Sequence, residues 1–327
     1  MTQAGPTVAV LAGGVGAARF LRGLIRIVDP TAITAVVNTG DDVVLHGLAI
    51  SPDLDTVTYT LAGTIDPGRG WGLAGESWQA MEGLARYASV RPVGSRAATT
   101  WFNLGDRDLA THLYRTARLA EGGRPTEVAD EIRRAWGVPI RIMPMTDERV
   151  ATEVELVDGE IVGFQDYFVR LGHGVPVAAV HIRGAGAPTA EVLEVLESAD
   201  VVVIAPSNPL VSIGPIRALA GVDDVLAARR ESVVAVSPIV GGLALKGPAD
   251  RMLTELGHEP SVVGVARLYA PVASVLVIDP VDAALAPAVA DAGIRPVVVA
   301  SVMTDEQRAG ELARATIAAV ASWSGGP

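Results

Sequence analysis

The stretch Val8-Ala9-Val10-Leu11-Ala12-Gly13-Gly14-Val15-Gly16-Ala17-Ala18-Arg19 decides the fold class. Thr7–Leu11 reads as a strand buried on both faces, and Ala17–Val28 as the helix that follows the glycine turn. Glycines let the backbone turn sharply and approach a ligand, and the first amides of a helix are free to meet an anion. No Gly-Lys-Ser/Thr follows, so the turn is not a P-loop. As a dinucleotide fingerprint it is imperfect, because Arg19 stands where a third glycine belongs. Gly13, Gly14 and Gly16 are therefore candidate contacts to nucleotide phosphates, while a tight strand-to-helix turn without a ligand explains the same residues.

The unit recurs along the chain. Ile33–Val37, Ala178–Ile182, Val201–Ile204, Val233–Val236, Val275–Ile278 and Pro296–Ala300 are short apolar runs. Ala190–Ser198, Ala249–Leu256, Val281–Ala292 and Asp305–Ala321 have helical periodicity between or after them. This alternation predicts an α/β fold, a Rossmann-like parallel sheet with helices on both faces. The middle differs. Glu76–Tyr87, Asp106–Glu121 and Glu127–Trp136 read as three helices in succession, and Glu153–Val157 with Glu160–Phe164 as a hairpin turned at Asp158-Gly159. Residues of about 70–175 are thus expected to be a mostly helical elaboration of one α/β domain spanning 1–327. The tail Ser322–Pro327 is expected to fray.

Composition narrows the chemistry. The 327 residues carry 37 Asp and Glu against 26 Lys and Arg, a formal charge of −11, and no cysteine. Disulfides, Cys-ligated zinc, iron–sulfur clusters and a thiolate nucleophile are excluded. An acidic chain lacks the cationic surface that displaces counterions, so no nucleic-acid partner is expected. The N-terminus has no basic n-region, and the uncharged stretch Val201–Ile216 is broken by three prolines and a glycine, so a mean hydropathy of +0.37 reflects buried strands rather than a membrane span. A cytoplasmic protein without membrane partners is expected. If the substrate is anionic, backbone amides or a metal ion must receive it.

The second predicted strand ends in Val37-Asn38-Thr39-Gly40-Asp41-Asp42, followed shortly by Ser51-Pro52-Asp53-Leu54-Asp55-Thr56-Val57. Both segments leave the carboxyl edge of a parallel sheet, where ligands bind. Four carboxylates beside a phosphate-like turn would repel a phosphate, and a hard divalent cation resolves the conflict. Asp42 and Asp55 are the first candidates for Mg2+ ligands and for orienting a hydroxyl. Asp41 and Asp53 come second, and Ser51 or Asp53 is also a plausible helix cap. Trp71, in Arg69-Gly70-Trp71-Gly72, is placed either beside a flat ring or as an anchor beneath its loop. Ser207-Asn208-Pro209 and Ser212 offer hydroxyl and amide groups to phosphate or ribose oxygens, or cap a helix, and Asn38 joins them as a nucleotide-side candidate. Lys246 is the best isolated cation for a phosphate, or equally a solvated surface lysine. Arg107 either clamps a carboxylate bidentately or is held by Asp106 and Asp108. No histidine has metal-ligand spacing. Thr111-His112 is the pair to inspect first.

These motifs, with Leu104-Gly105-Asp106-Arg107-Asp108, Pro206–Ile213 and Ser237-Pro238-Ile239-Val240-Gly241-Gly242, resemble the 2-phospho-lactate transferase family of coenzyme F-420 biosynthesis. The resemblance runs in order from about Val8 to Met303. It implies transfer of a phospho-acyl unit from a guanosine-diphosphate-activated three-carbon acid to the ribityl 5′-hydroxyl of the deazaflavin Fo, with release of GMP. The resemblance implies a phosphoenolpyruvyl donor for actinobacterial members and a phospholactyl donor for archaeal ones. The Ala-, Val-, Arg- and Gly-rich composition here looks actinobacterial. Deazaflavin contacts carry over to Asp55 and to Asn103, where many relatives have Lys. A homodimer is also implied. Two alternatives remain, a nucleotide-sugar-binding regulator of a related family without turnover and an NAD-dependent dehydrogenase. The Ser-Pro-Asp-Leu-Asp block argues against the first, and the missing third glycine against the second.

Overall fold

The computed structural model describes residues 5–184 and 186–320. The Ser322–Pro327 tail lies outside the described residues. Seven strands form one parallel sheet. They are β1 Val8–Ala12, β2 Ile33–Val37, β3 Arg141–Pro144, β4 Val201–Ile204, β5 Val233–Val236, β6 Val275–Ile278 and β7 Arg295–Val298, and their spatial order is β7-β6-β5-β4-β1-β2-β3. Every pairing is parallel, for example Val8 with Ile33 on one side of β1 and with Val201 on the other. The strand order reverses between β1 and β4, which opens a crevice at their carboxyl ends.

Alternate residues of each strand feed two apolar cores. Val8, Val10 and Ala12 of β1 join Phe20, Leu21 and Leu24 of α1 (Gly14–Leu24), Val57 of α2 (Pro52–Leu61) and Leu312 and Ile317 of α5 (Glu306–Ala318). Ala9 and Leu11 join Val192 and Leu196 of helix Ala190–Ser198, and Val262 and Val265 of helix Val262–Tyr269, on the other face. The Rossmann-like reading therefore holds, with helices on both faces. No helix among the described residues is long and apolar enough to cross a membrane.

Two strand readings change. Ala178–Ile182 is not in the parallel sheet. It lies within strand Val177–Arg183, which pairs antiparallel with Ala151–Leu156, itself the partner of Ile161–Gly163. Most of its residues are half-buried or exposed, so its apolar run covers one flank rather than filling a core. The seventh strand is instead β3, which sits inside the interval read as an elaboration. Helices α3 (Asp108–Ala120) and α4 (Pro125–Ala135) precede it, and α4 packs on it. Ahead of them, hairpin Val43–Leu45/Leu48–Ile50 turns at His46 and Gly47, both with positive φ as a two-residue primed turn requires.

Candidate active site

A cavity of about 640 Å³ opens at the crevice between β1 and β4. The turn after β1 forms its floor. Gly14 has φ +68, and a Cβ on Gly16 would stand 2.1 Å from the Pro206 carbonyl oxygen, so the β1 and β4 loops touch through glycine alone. Ser207 Oγ donates to the Gly13 carbonyl at 2.8 Å, tying the two loops together. Asn208 Oδ1 accepts from the Leu210 amide at 2.9 Å, so its oxygen caps a turn. Ser207, Asn208 and Ser212 all line the cavity.

The acidic stretch forms one wall. Pro52 opens α2, and Asp53 and Asp55 lie in its first turn, where the helix dipole favours carboxylates. Neither cap reading holds for this helix. Ser51 makes no side-chain cap bond and instead donates to Asp42 Oδ2 at 2.7 Å. Asp53 lies within the first turn rather than at the N-cap, and Asn38 Nδ2 donates both to its Oδ2 at 3.0 Å and to Asp41 Oδ1 at 3.2 Å. Gln165 Nε2 donates to the other oxygen of Asp41 at 2.9 Å. Burial, reinforced by the charges of Asp53 and Asp42, pushes Asp41 well above the ordinary carboxylate range. Burial pushes Asp53 up to about 6, against hydrogen bonds from Asn38 and Gly14. It pushes Asp42 up to about 8, against Ser51 and Arg115. Perturbed carboxyls converging on a cleft are a mark of a functional site.

Asp55 has a partner that the sequence did not announce. Arg115, 5% exposed, binds it through both terminal nitrogens, with Nη1 3.1 Å from Oδ2 and Nη2 on Oδ1. His112 stands beside them. Its Nδ1 is 3.3 Å from Arg115 Nη1 and 3.7 Å from Asp55 Oδ2, and its Nε2 is 3.3 Å from Asp108 Oδ2. Tyr59 donates its hydroxyl to the other oxygen of Asp108 at 2.5 Å. Despite the desolvation of burial, His112 and Tyr59 hold Asp108 below its ordinary value. Asp55, Asp108 and His112 offer ligand atoms within 4.8 Å of one another, yet both Asp55 oxygens already accept from Arg115. The guanidinium therefore occupies the role a cation would take there.

The remaining expected residues divide. Trp71, Asn103, Lys246 and the three glycines line the cavity. Trp71 is 44% exposed, and the Arg69 guanidinium sits 5.2 Å from its ring and from that of Trp78. It is therefore a rim residue rather than a buried anchor. Phe164 and Phe168 add a stacked aromatic pair to the opposite wall, with centroids 5.7 Å apart. Three residues do not reach the cavity. Arg107 is exposed and donates to the Ala74 carbonyl, so it is spent on a loop rather than free to clamp a substrate carboxylate. Asn38 is buried behind Asp41 and Asp53 as their shared donor. Asp42 stands behind the wall against Ser51.

Residues 8–319 match the family described as 2-phospho-L-lactate transferase CofD. The phosphoenolpyruvate transferase of Kitasatospora aureofaciens is 42% identical over 318 residues, covering 95% of this chain and 97% of its own. That of Streptomyces griseus subsp. griseus is 43% identical over 313 residues, covering 94% and 96%. A UPF0052 family member of known structure from Bacillus halodurans has a TM-score of 0.60 at 17% identity, covering 95% of this chain and 99% of that one. At that identity the likeness speaks to the fold alone.

Proposed function

The chain belongs to the 2-phospho-L-lactate transferase CofD family, and we propose that it transfers a phosphoenolpyruvyl group from a guanosine-diphosphate-activated donor to the ribityl 5′-hydroxyl of the deazaflavin Fo. It is a transferase of coenzyme F-420 biosynthesis, as its family and its relatives indicate. The enolpyruvyl donor is favoured over the lactyl one because the actinobacterial relatives are named phosphoenolpyruvate transferases. In the reaction the Fo hydroxyl oxygen bonds to the phosphorus that carries the enolpyruvyl group. The bond from that phosphorus to the bridging oxygen breaks, GMP leaves with the electron pair, and the hydroxyl proton passes to solvent.

One observation carries the reading. A single cavity joins an anion-accepting glycine turn to aromatic walls across a band of buried carboxylates. Such a transfer needs positioning and charge neutralisation more than covalent catalysis. Gly13, Gly14 and Gly16, with Ser207 and Ser212, receive the nucleotide phosphates. Trp71 and Phe168 stand where a flat ring would lie. Asp55, fixed by Arg115, orients the attacking hydroxyl through lone pairs the guanidinium leaves free.

A divalent cation fits the site. Asp41 and Asp53 face the cavity, converge on one Asn38 amide, and have no cationic side chain among their hydrogen-bond partners. These two would hold Mg2+, rather than the Asp42–Asp55 pair, which is committed to Ser51 and Arg115. The cation would neutralise phosphate oxygens during transfer.

The test combines the protein with Fo, Mg2+ and either guanylyl-phosphoenolpyruvate or guanylyl-phospholactate. Mass spectrometry then looks for the phospho-acylated deazaflavin and GMP. Product with the enolpyruvyl donor is expected, and no product with either donor would sink the reading. Light scattering tests the homodimer that belongs to the same proposal.

A further inference from the structure

We propose that His112 is a hydrogen-bond donor to the bound ligand, fixed by Arg115 in the tautomer that carries its proton on Nε2. Arg115 and His112 lie three positions apart on α3, so both side chains reach the same buried flank of the cavity. A guanidinium only donates. Arg115 Nη1 lies 3.3 Å from His112 Nδ1, so Nδ1 accepts and the ring proton belongs on Nε2. Arg115 has no freedom to turn elsewhere, because both its terminal nitrogens are fastened to Asp55.

That leaves the Nε2–H, among the described residues, with one poorly aligned acceptor, Asp108 Oδ2. The imidazole is 1% exposed. Asp108 Oδ2 is 3.3 Å away but off line, and Tyr59 holds that carboxylate through its other oxygen. His112 lines the cavity between Asp55 and Asp108. A buried donor in such a wall is matched when a ligand oxygen arrives, and an N–H fixed in advance stabilises an oxygen that gains charge. A metal ligand would use a bare nitrogen, and the only bare one, Nδ1, is taken by Arg115. A general base would also need a bare nitrogen on the cavity side. The donor role uses the ring as the structure holds it, with Asp108 as the strained acceptor a ligand oxygen would replace or join. The inference rests on the transferase reading solely for which oxygen is met, that of the acceptor or of the transferred phosphoryl group.

Long-range proton–nitrogen NMR on nitrogen-15-labelled wild-type protein reads the tautomer without any turnover. His112 is identified as the histidine whose ring signals move in Arg115→Lys. The Nε2-protonated pattern is expected, with its proton shifting on addition of Fo or GDP. An Nδ1-protonated pattern, or no shift with either ligand, overturns the proposal. Kinetics supply a second arm. His112→Gln, which keeps an N–H donor, should stay within roughly tenfold of wild-type kcat, and His112→Ala should fall on the order of 10²-fold with Fo affinity little changed. Equal kcat in both variants overturns the donor role. A protein that makes no product with any donor refutes the transferase reading while the NMR arm still decides His112.

Discussion

Asp42→Asn should make the protein more stable in mild alkali, because Asp42 is a carboxyl that folding holds in the wrong place for its charge. Its Oδ1 is buried without a partner, its Oδ2 has only Ser51, and burial pushes its pKa up to about 8. An acid whose folded value is raised holds its proton in the native state and loses it on unfolding. The stability it contributes is complete below the ordinary value of 3.8 and is lost as pH climbs to about 8. At 1.36 kcal/mol per pH unit the ceiling is roughly 5–6 kcal/mol. Ser51 also serves the ionised form and the residue is only half-buried, so about 2 kcal/mol is the working figure at effective protein dielectrics. Asn keeps an acceptor for Ser51 and turns an NH2 toward Asp53 and Asp55, which the carboxylate repels. Urea unfolding at about pH 6 and about pH 8.5 checks this. Wild type should weaken between the two, with Asp41 and Asp53 acting in the same direction. The variant should weaken less and exceed wild type at the higher pH by about 2 kcal/mol. A wild-type protein that holds or gains stability over that interval would refute the argument.

Arg115→Met strands Asp55 in the interior and should cost about 3–5 kcal/mol in urea unfolding, with Asp55→Asn in the same chain recovering part of it. Asp55→Asn alone should lower turnover roughly 10²–10³-fold with the fold intact by circular dichroism, and near-wild-type turnover would remove it from the site. Gly16→Ala drives a Cβ against the Pro206 carbonyl, whose backbone cannot yield, and should cost about 1–3 kcal/mol by thermal unfolding and weaken GDP binding in calorimetry. Arg107→Ala should leave kcat/KM within about threefold of wild type, because its guanidinium serves the Ala74 carbonyl outside the cavity, and a larger loss would return it to the substrate.

Six of the seven sheet strands are legible in the sequence, five because they are buried on both faces and Arg295–Val298, a half-exposed edge strand, because its valines still form an apolar run. Val201–Ile204 and Val233–Val236 need no alternation, only four apolar residues before a turn. Arg141–Pro144 hides because prolines flank and end it and an arginine opens it. It is an edge strand, where a missing amide costs nothing on the open side. Ala178–Ile182 has the same apolar content as a core strand, and hydropathy alone cannot distinguish a flank from a core. At the site, the acidic stretch is local and readable. Arg115 reaches Asp55 from 60 residues away, a distance no local motif spans. A weak signal was nevertheless present. Asp108, His112 and Arg115 fall at i, i+4 and i+7 on an amphipathic helix, a polar line on the side that should bury apolar residues. Thr111-His112 stands out as a pair, but its meaning lies in the helical spacing to Arg115.

The acidic excess has a local counterpart. Asp41, Asp53 and Asp55 are buried, with Asp42 and Asp108 beside them, against one buried guanidinium. The fold tolerates this by three separate devices. The first turn of α2 supplies a favourable dipole to Asp53 and Asp55. Asn38 and Gln165 supply amide donors to Asp41. Raised pKa values let Asp42, and Asp41 in the same direction, hold protons toward neutrality, while Asp53 gives its proton up near pH 6, so not all the charges are present at once. Each device lowers a cost without cancelling it, and none improves packing. Apolar residues of similar volume would serve stability at least as well. The Gly14 amide, one of those expected to receive a phosphate, donates meanwhile to Asp53. The acidic wall and the glycine turn therefore meet at Gly14 and Asp53, and carboxylates kept buried there at a cost to stability are what a functional site retains.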